Sequence, residues 1–172
     1  MTLRYAMVSA TWCIEFSEQV LAVFTENAQL TRAHTESVGQ LFTPDTSTDV
    51  VKVTFATVLK PKHAGRTGVS FDIHSANAER KRLFEQGLHC IGFWHTHPES
   101  HPTPSGPDAA LARDHAKAAK ANLNALAFII VGNGRLEESL YVSVHDGENF
   151  HRCVLLNATQ TATITKPAHN PN

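Results

Sequence analysis

The sequence predicts a mixed β-sheet flanked by helices, and three observations predict it. Short runs rich in β-branched and aromatic residues alternate with three longer segments of helical period. The last two apolar runs flank an Asp146-Gly147 turn, the signature of a hairpin. The chain has 172 residues, enough for one domain with its own core. By periodicity alone, α/β and α+β both satisfy this order of elements.

Leu3 to Val8 and Thr11 to Phe16 read as two short strands. Ser17 then caps a helix to about Asn27, with Val20, Leu21, Phe24 and Ala28 on one apolar stripe. Val38 to Phe42 reads as a strand, Pro44 to Asp49 as a turn, and Val50 to Leu59 as one long β-branched strand. Pro61 to Thr67 is expected to be a mobile loop, followed by a strand over Val69 to Ile73. Ser75 is the expected cap of a basic helix to about Gln86, stopped by Gly87. Leu88 to Trp94 is a further strand. A helix is expected from Asp108 to about Asn122, whose Ala109, Ala112, Ala116 and Ala119 let it lie close against a sheet. Strands over Ala125 to Val131, Ser139 to Val144 and Phe150 to Leu156 complete the domain, taken as residues 1–157. Residues 158–172 have no apolar pattern and are expected to be a disordered tail.

Composition narrows the function classes. Fifteen basic residues against sixteen acidic ones give no charge argument for nucleic acid or an anionic membrane as partner. Cys13, Cys90 and Cys153 are odd in number and form no CxxC, so they read as thiols of a reducing cytoplasm. The amino terminus lacks a charged-then-apolar signal pattern, and no run approaches the ~18 apolar residues of a membrane span. A cytoplasmic protein without membrane association is expected.

The chemistry concentrates in His95-Thr96-His97-Pro98 and Pro104-Ser105-Gly106-Pro107-Asp108. If the strand continues through the histidines, its period of two sends His95 and His97 to one face. Pro98 ends the ladder, and Glu99 to Pro107 must be irregular. Ser105 and Asp108 form an acidic variant of a capping box, which brings the Asp108 carboxylate back toward the histidines. Two imidazoles, one carboxylate and a fourth position for water make the open arrangement of a catalytic Zn²⁺. An HxH by itself is unremarkable among eleven histidines, and a Ser followed three residues later by an acid is an ordinary helix start.

The whole phrase, with an acid upstream in Thr35-Glu36-Ser37-Val38-Gly39-Gln40-Leu41, resembles the JAMM (MPN+) metalloprotease family over about residues 15 to 155. The resemblance implies an α/β, cytidine-deaminase-like core. It implies His95, His97 and Asp108 as zinc ligands, Glu36 as the general base and acid, and Ser105 as a donor to the tetrahedral oxyanion. Val38 stands where the family has its first Gly of the glutamate segment, and Thr43 where a later Gly is common. Glu26 is the alternative acid. His101 sits between the ligands and reads as a loop residue, because a fourth protein ligand would close the site. Of Phe93 and Trp94, one is expected to pack in the core.

The segment Gly92 to Glu99 is similar to bacterial peptidases of this family, including those of type II CBASS and Bil antiphage operons. That similarity implies cleavage after the carboxyl end of a ubiquitin-like protein or its conjugate, with E1-like and E2-like proteins of the same operon as partners. Processing of a sulfur-carrier protein and a non-catalytic MPN scaffold are the alternatives. Substrate recognition is expected in the loop Pro61 to Arg66, the strand Val69 to Ile73 and the loop Glu99 to Thr103.

Overall fold

Alternation of short apolar runs with amphipathic segments folds this chain into one large sheet with helices on both faces. The computed structural model describes residues 2–65, 69–157 and 160. In chain order the elements are β1 (Leu3–Ala6), β2 (Cys13–Phe16), α1 (Glu18–Asn27), β3 (Val38–Thr43), β4 (Val50–Val53), β5 (Phe55–Ala56), β6 (Pro61–Ala64), β7 (Val69–Phe71), α2 (Ile73–Phe84), β8 (His89–Thr96), α3 (Gly106–Ala119), β9 (Leu126–Val131), α4 (Leu136–Ser139), β10 (Leu140–His145) and β11 (Phe150–Leu155). The main sheet runs β4-β2-β1-β11-β10-β9-β8-β3-β5, and β6 pairs with β7 in a separate hairpin. It is mixed, because β8 and β9 are parallel, as are β2 and β4, while the other neighbours are antiparallel.

The expected long strand over Val50 to Leu59 is two strands on opposite sheet edges. Residues of β4 pair with β2, whereas Phe55 and Ala56 pair with Phe42 and Leu41. Only Thr54 separates the two edges in sequence, so the sheet must curl until they meet. The Thr54 N–H accordingly donates to the Phe42 carbonyl at 3.1 Å. β-branched composition over ten residues cannot reveal such a change of partner, which is a tertiary property.

Inside the curl lies α1. Ser17 caps it as expected, its hydroxyl accepting the Val20 N–H at 3.3 Å. Val20, Leu21 and Phe24 are buried against Phe16, Leu41, Trp94 and Ile129, which places the main core on this face. On the opposite face α3 sets Ala112 and Ala116 against the aromatic and aliphatic residues of β8 and β9. The small inner residues of α3 do what their size suggested.

Two local expectations need correction. Pro61 to Ala64 is a strand paired with Val69 to Phe71 rather than the start of a loop. Helix α2 begins at Ile73, so the expected strand ends at Phe71 and the cap is Asp72, whose carboxylate accepts the Ser75 N–H at 3.3 Å. Asp72 outranks Ser75 because its side chain also takes the Ser75 hydroxyl at 2.8 Å. The expected tail 158–172 lies outside the described residues apart from Gln160. Among the described residues, no helix is long and apolar enough to cross a membrane.

Candidate metal centre

The pair β8 and β9, joined through α3, sets the site. A parallel pair needs a crossover, and the crossover helix starts beside the carboxyl end of the strand it leaves. His95 lies in β8 opposite Ile130, and His97 extends the ladder by one residue, its N–H donating to the Val131 carbonyl at 2.9 Å. The two imidazoles therefore emerge on the same face, next to the first turn of α3.

That turn carries the third donor. The Ser105 hydroxyl accepts the Asp108 N–H at 3.3 Å, and Asp108 Oδ2 accepts the Ser105 N–H at 2.8 Å, a complete capping box. Asp108 Oδ1 lies 3.2 Å from His95 Nε2, Asp108 Oδ2 lies 3.3 Å from His97 Nε2, and the two Nε2 atoms are 3.0 Å apart. In a tetrahedron with metal bonds of ~2.0 Å, adjacent ligand atoms are separated by roughly 3.3 Å. The histidine pair has about the spacing of adjacent ligands, and with a single Asp108 oxygen the three donor atoms lie within 4.8 Å of one another, a set that fits a zinc ion held by His95, His97 and Asp108.

The electrostatics point the same way. Burial would raise the Asp108 carboxyl, but hydrogen bonds from His95, His97 and Ser105 hold it far below the usual carboxylate range. Burial works against a charge on His97 too, and the bond to Asp108 together with the Asp108, Glu36 and Glu99 charges outweighs it and raises the group. Both Nε2 atoms face the Asp108 carboxylate, so each imidazole can donate its proton there while the two nitrogens stand 3.0 Å apart. A metal would displace those protons.

Glu36 precedes β3, which runs antiparallel to β8 with Val38 opposite His95. It is 5 % exposed and lines the same cleft of about 240 Å³ as His95, His97, Ser105 and Asp108. Burial, with the Asp108 and Glu99 charges adding to it and His97 opposing, raises its carboxyl to about 7. Backbone contacts fix its approach. Ser37 N–H donates to Thr96 Oγ1 at 2.9 Å, Thr96 N–H to the Ser37 carbonyl at 3.0 Å, and Glu36 N–H to the Gly65 carbonyl at 2.8 Å. The Thr96 role was visible in sequence only as the residue between two histidines.

The departures in the glutamate segment resolve simply. Val38 packs on Leu59 and Ala76, so a side chain is accommodated there. Thr43 pairs with His89 at the far end of β3 and does not bear on the turn. Gly39 is the position that requires glycine, because a Cβ there would fall 1.8 Å from the Thr57 carbonyl oxygen. Glu26, the alternative acid, is exposed on α1 and does not line the cleft. His101 is exposed beside the Ser100 hydroxyl and is not part of the donor trio. Trp94 turns to the α1 face, fully buried against Phe24, and its indole N–H donates to the Thr57 carbonyl.

Glu99, expected only as the first residue of a recognition loop, lies beside the site with Oε2 3.2 Å from His97 Nδ1. A carboxylate two residues from a histidine was the available signal, and it is a weak one in a polar loop.

Comparison with known proteins bears on the fold and the family. The profile of prokaryotic homologs of the JAB domain matches residues 17–146, from the cap of α1 to the turn after β10. The solution structure of protein DSY2949 from Desulfitobacterium hafniense is similar with a TM-score of 0.58 at 17 % identity, over 80 % of this chain and 87 % of that one. A solution structure from Salinibacter ruber has a TM-score of 0.47 at 18 % identity, over 80 % of this chain and 86 % of that one. The likeness to the Desulfitobacterium protein shows a shared fold. No curated protein matches.

Proposed function

Because this chain belongs to the prokaryotic homologs of the JAB domain, we propose that it is a zinc-dependent isopeptidase cutting after the carboxyl end of a ubiquitin-like protein or its conjugate. The observation that carries the hydrolytic reading is the trio of His95, His97 and Asp108 donors at 3.0 to 3.3 Å, with the buried Glu36 carboxyl lining the same cleft. A zinc ion in that trio would polarise the scissile carbonyl and lower the pKa of water toward ~7.

The chain's own residues then divide the proton work. Glu36, outside the donor trio and raised to about 7, takes a proton from the attacking water and returns it to the leaving amine. Ser105 Oγ–H donates to the developing oxyanion. In the resting protein the same hydroxyl donates to Asp108 Oδ2 at 2.7 Å, so it must turn from one acceptor to the other during turnover. Phe71, Phe93 and Leu111 line the cleft with apolar surface and limit water around the reacting atoms.

The choice of a ubiquitin-like substrate, E1-like and E2-like partners and a role in cytoplasmic antiphage defence is supported by the similarity of the Gly92 to Glu99 phrase to bacterial deconjugating peptidases. The site chemistry itself supports peptide-bond hydrolysis of either an isopeptide or a precursor extension. Incubation with conjugates of bacterial ubiquitin-like proteins, followed by mass spectrometry of the cut site, tests the substrate. Glu36→Gln is expected to retain zinc and substrate binding while losing hydrolysis. Undiminished cleavage by that variant removes Glu36 from the mechanism, and a preparation with far less than about one zinc per chain supports a scaffold instead.

A further inference from the structure

We propose that Glu99 is the positioning residue that sets the tautomer and aim of His97, a role that rests on the zinc reading of the trio. His97 has two ring nitrogens with opposite duties. Its Nε2 faces His95 Nε2 at 3.0 Å and Asp108 Oδ2 at 3.3 Å, so that atom must offer a lone pair to a metal. The proton of a neutral imidazole then belongs on Nδ1. Glu99 Oε2 stands 3.2 Å from Nδ1, ready to accept that N–H. A carboxylate acceptor at this place favours the Nδ1–H tautomer, orients the ring and increases the basicity of Nε2.

The placement of Glu99 is built rather than incidental, although its side chain is 58 % exposed. Its backbone is clamped to the end of β9. The Asn133 N–H donates to the Glu99 carbonyl at 3.0 Å, and Asn133 Nδ2 donates to the Pro98 carbonyl at 2.7 Å. Gly132 completes the clamp, because a Cβ there would lie 2.4 Å from the Glu99 carbonyl oxygen. Pro98 holds its own φ, so the two residues following His97 leave the strand on a path fixed from both sides. That path returns the Glu99 side chain to the ring two residues earlier. Within the described structure no other carboxylate is placed on His97 Nδ1.

The test separates this inference from the zinc reading. Zinc affinity is measured by chelator competition for the wild type, Glu99→Gln and Glu99→Ala. Wild-type protein without tight zinc binding overturns the parent reading. Tight wild-type binding with a loss of roughly 10- to 100-fold in Glu99→Ala, and a smaller loss in Glu99→Gln, is the expected result. Equal affinity in all three overturns the role of Glu99. A second readout is the His97 Nδ1–H proton of the zinc-loaded protein by long-range nitrogen-proton correlation: it should be shifted downfield and protected from exchange in the wild type and should lose both in Glu99→Ala, and an unchanged signal also overturns the proposal. Metal-free melting temperatures should match within error, because an exposed carboxylate contributes little to the fold; a large drop would assign Glu99 to loop stability instead.

Discussion

Glu36 is the residue whose chemistry and burial conflict most. An exposed glutamate after a helix would be unremarkable, but this one is sealed between the Ser37–Thr96 backbone link and the cleft lining. Burial shifts it from 4.5 to about 7, so the folded state keeps a proton that the unfolded chain has already released between those values. The linkage follows from that difference. The contribution is fully present below about 4.5 and is lost as pH rises through about 7, and a shift of this size corresponds to about 3 kcal/mol. Metal-free wild type should therefore lose stability relative to Glu36→Gln between pH 5 and pH 8. Urea melts of both proteins at the two pH values measure it, and parallel pH trends would contradict the burial argument. The Glu36 charge also helps to raise His97, so the difference between the two proteins reports Glu36 together with its coupling to that ring.

At the scale of elements, the first turn of α3 has two duties. Ser105 caps the helix and also contacts the carboxylate of the candidate metal trio. Substitutions can separate the duties, because glycine is a serviceable N-cap and alanine is not. Ser105→Ala should cost about 1 kcal/mol of stability and Ser105→Gly only a few tenths. If the hydroxyl serves the oxyanion, both should lose turnover by about 10²-fold or more, since both lack it. Activity that falls with Ala but survives with Gly would make Ser105 a cap alone. The neighbouring elements show where local pattern is a poor guide. Helix α2 has few buried apolar residues, Ala76 and Leu83, and is fastened instead by Gln40 of β3, whose amide donates to the Ala76 carbonyl and to Glu79 while its oxygen accepts from Arg80. A glutamine inside a strand gives no sequence signal of that duty. In β8 the pairing shifts so that Leu41 faces Gly92 and Phe42 faces Cys90, leaving Ile91 as the extra residue of a bulge. The bulge lets Ile91 and Trp94 both reach the α1 core, a pairing that strict alternation forbids.

At the scale of the whole molecule, the donors come from a strand, the residue just beyond it and a helix after a loop, so a bound metal would staple β8 to α3. Zinc that binds the folded state alone adds about 2.7 kcal/mol when free metal is a hundredfold above its Kd, worth very roughly 5 to 10 °C in a domain of this length. Calorimetry with zinc and after chelation should show that rise, and Asp108→Ala should abolish it. A Tm indifferent to zinc would mean that the trio does not hold the ion tightly.

What the sequence by itself determined was local: the cap at Ser17, the capping box at Ser105 and Asp108, the hairpin after Asp146, and the period of two that sends His95 and His97 to one face. Each depends on neighbours within a few residues, where spacing and side-chain type suffice. Only the tertiary structure decided that Val50 to Ala56 divides between the two sheet edges, that Glu36 rather than Glu26 reaches the cleft, and that Glu99 is returned to His97 by a clamp from Gly132 and Asn133. Those outcomes depend on residues far apart in the chain meeting at one place, and such meetings are set by closure of the sheet and packing of the core, which no local pattern records.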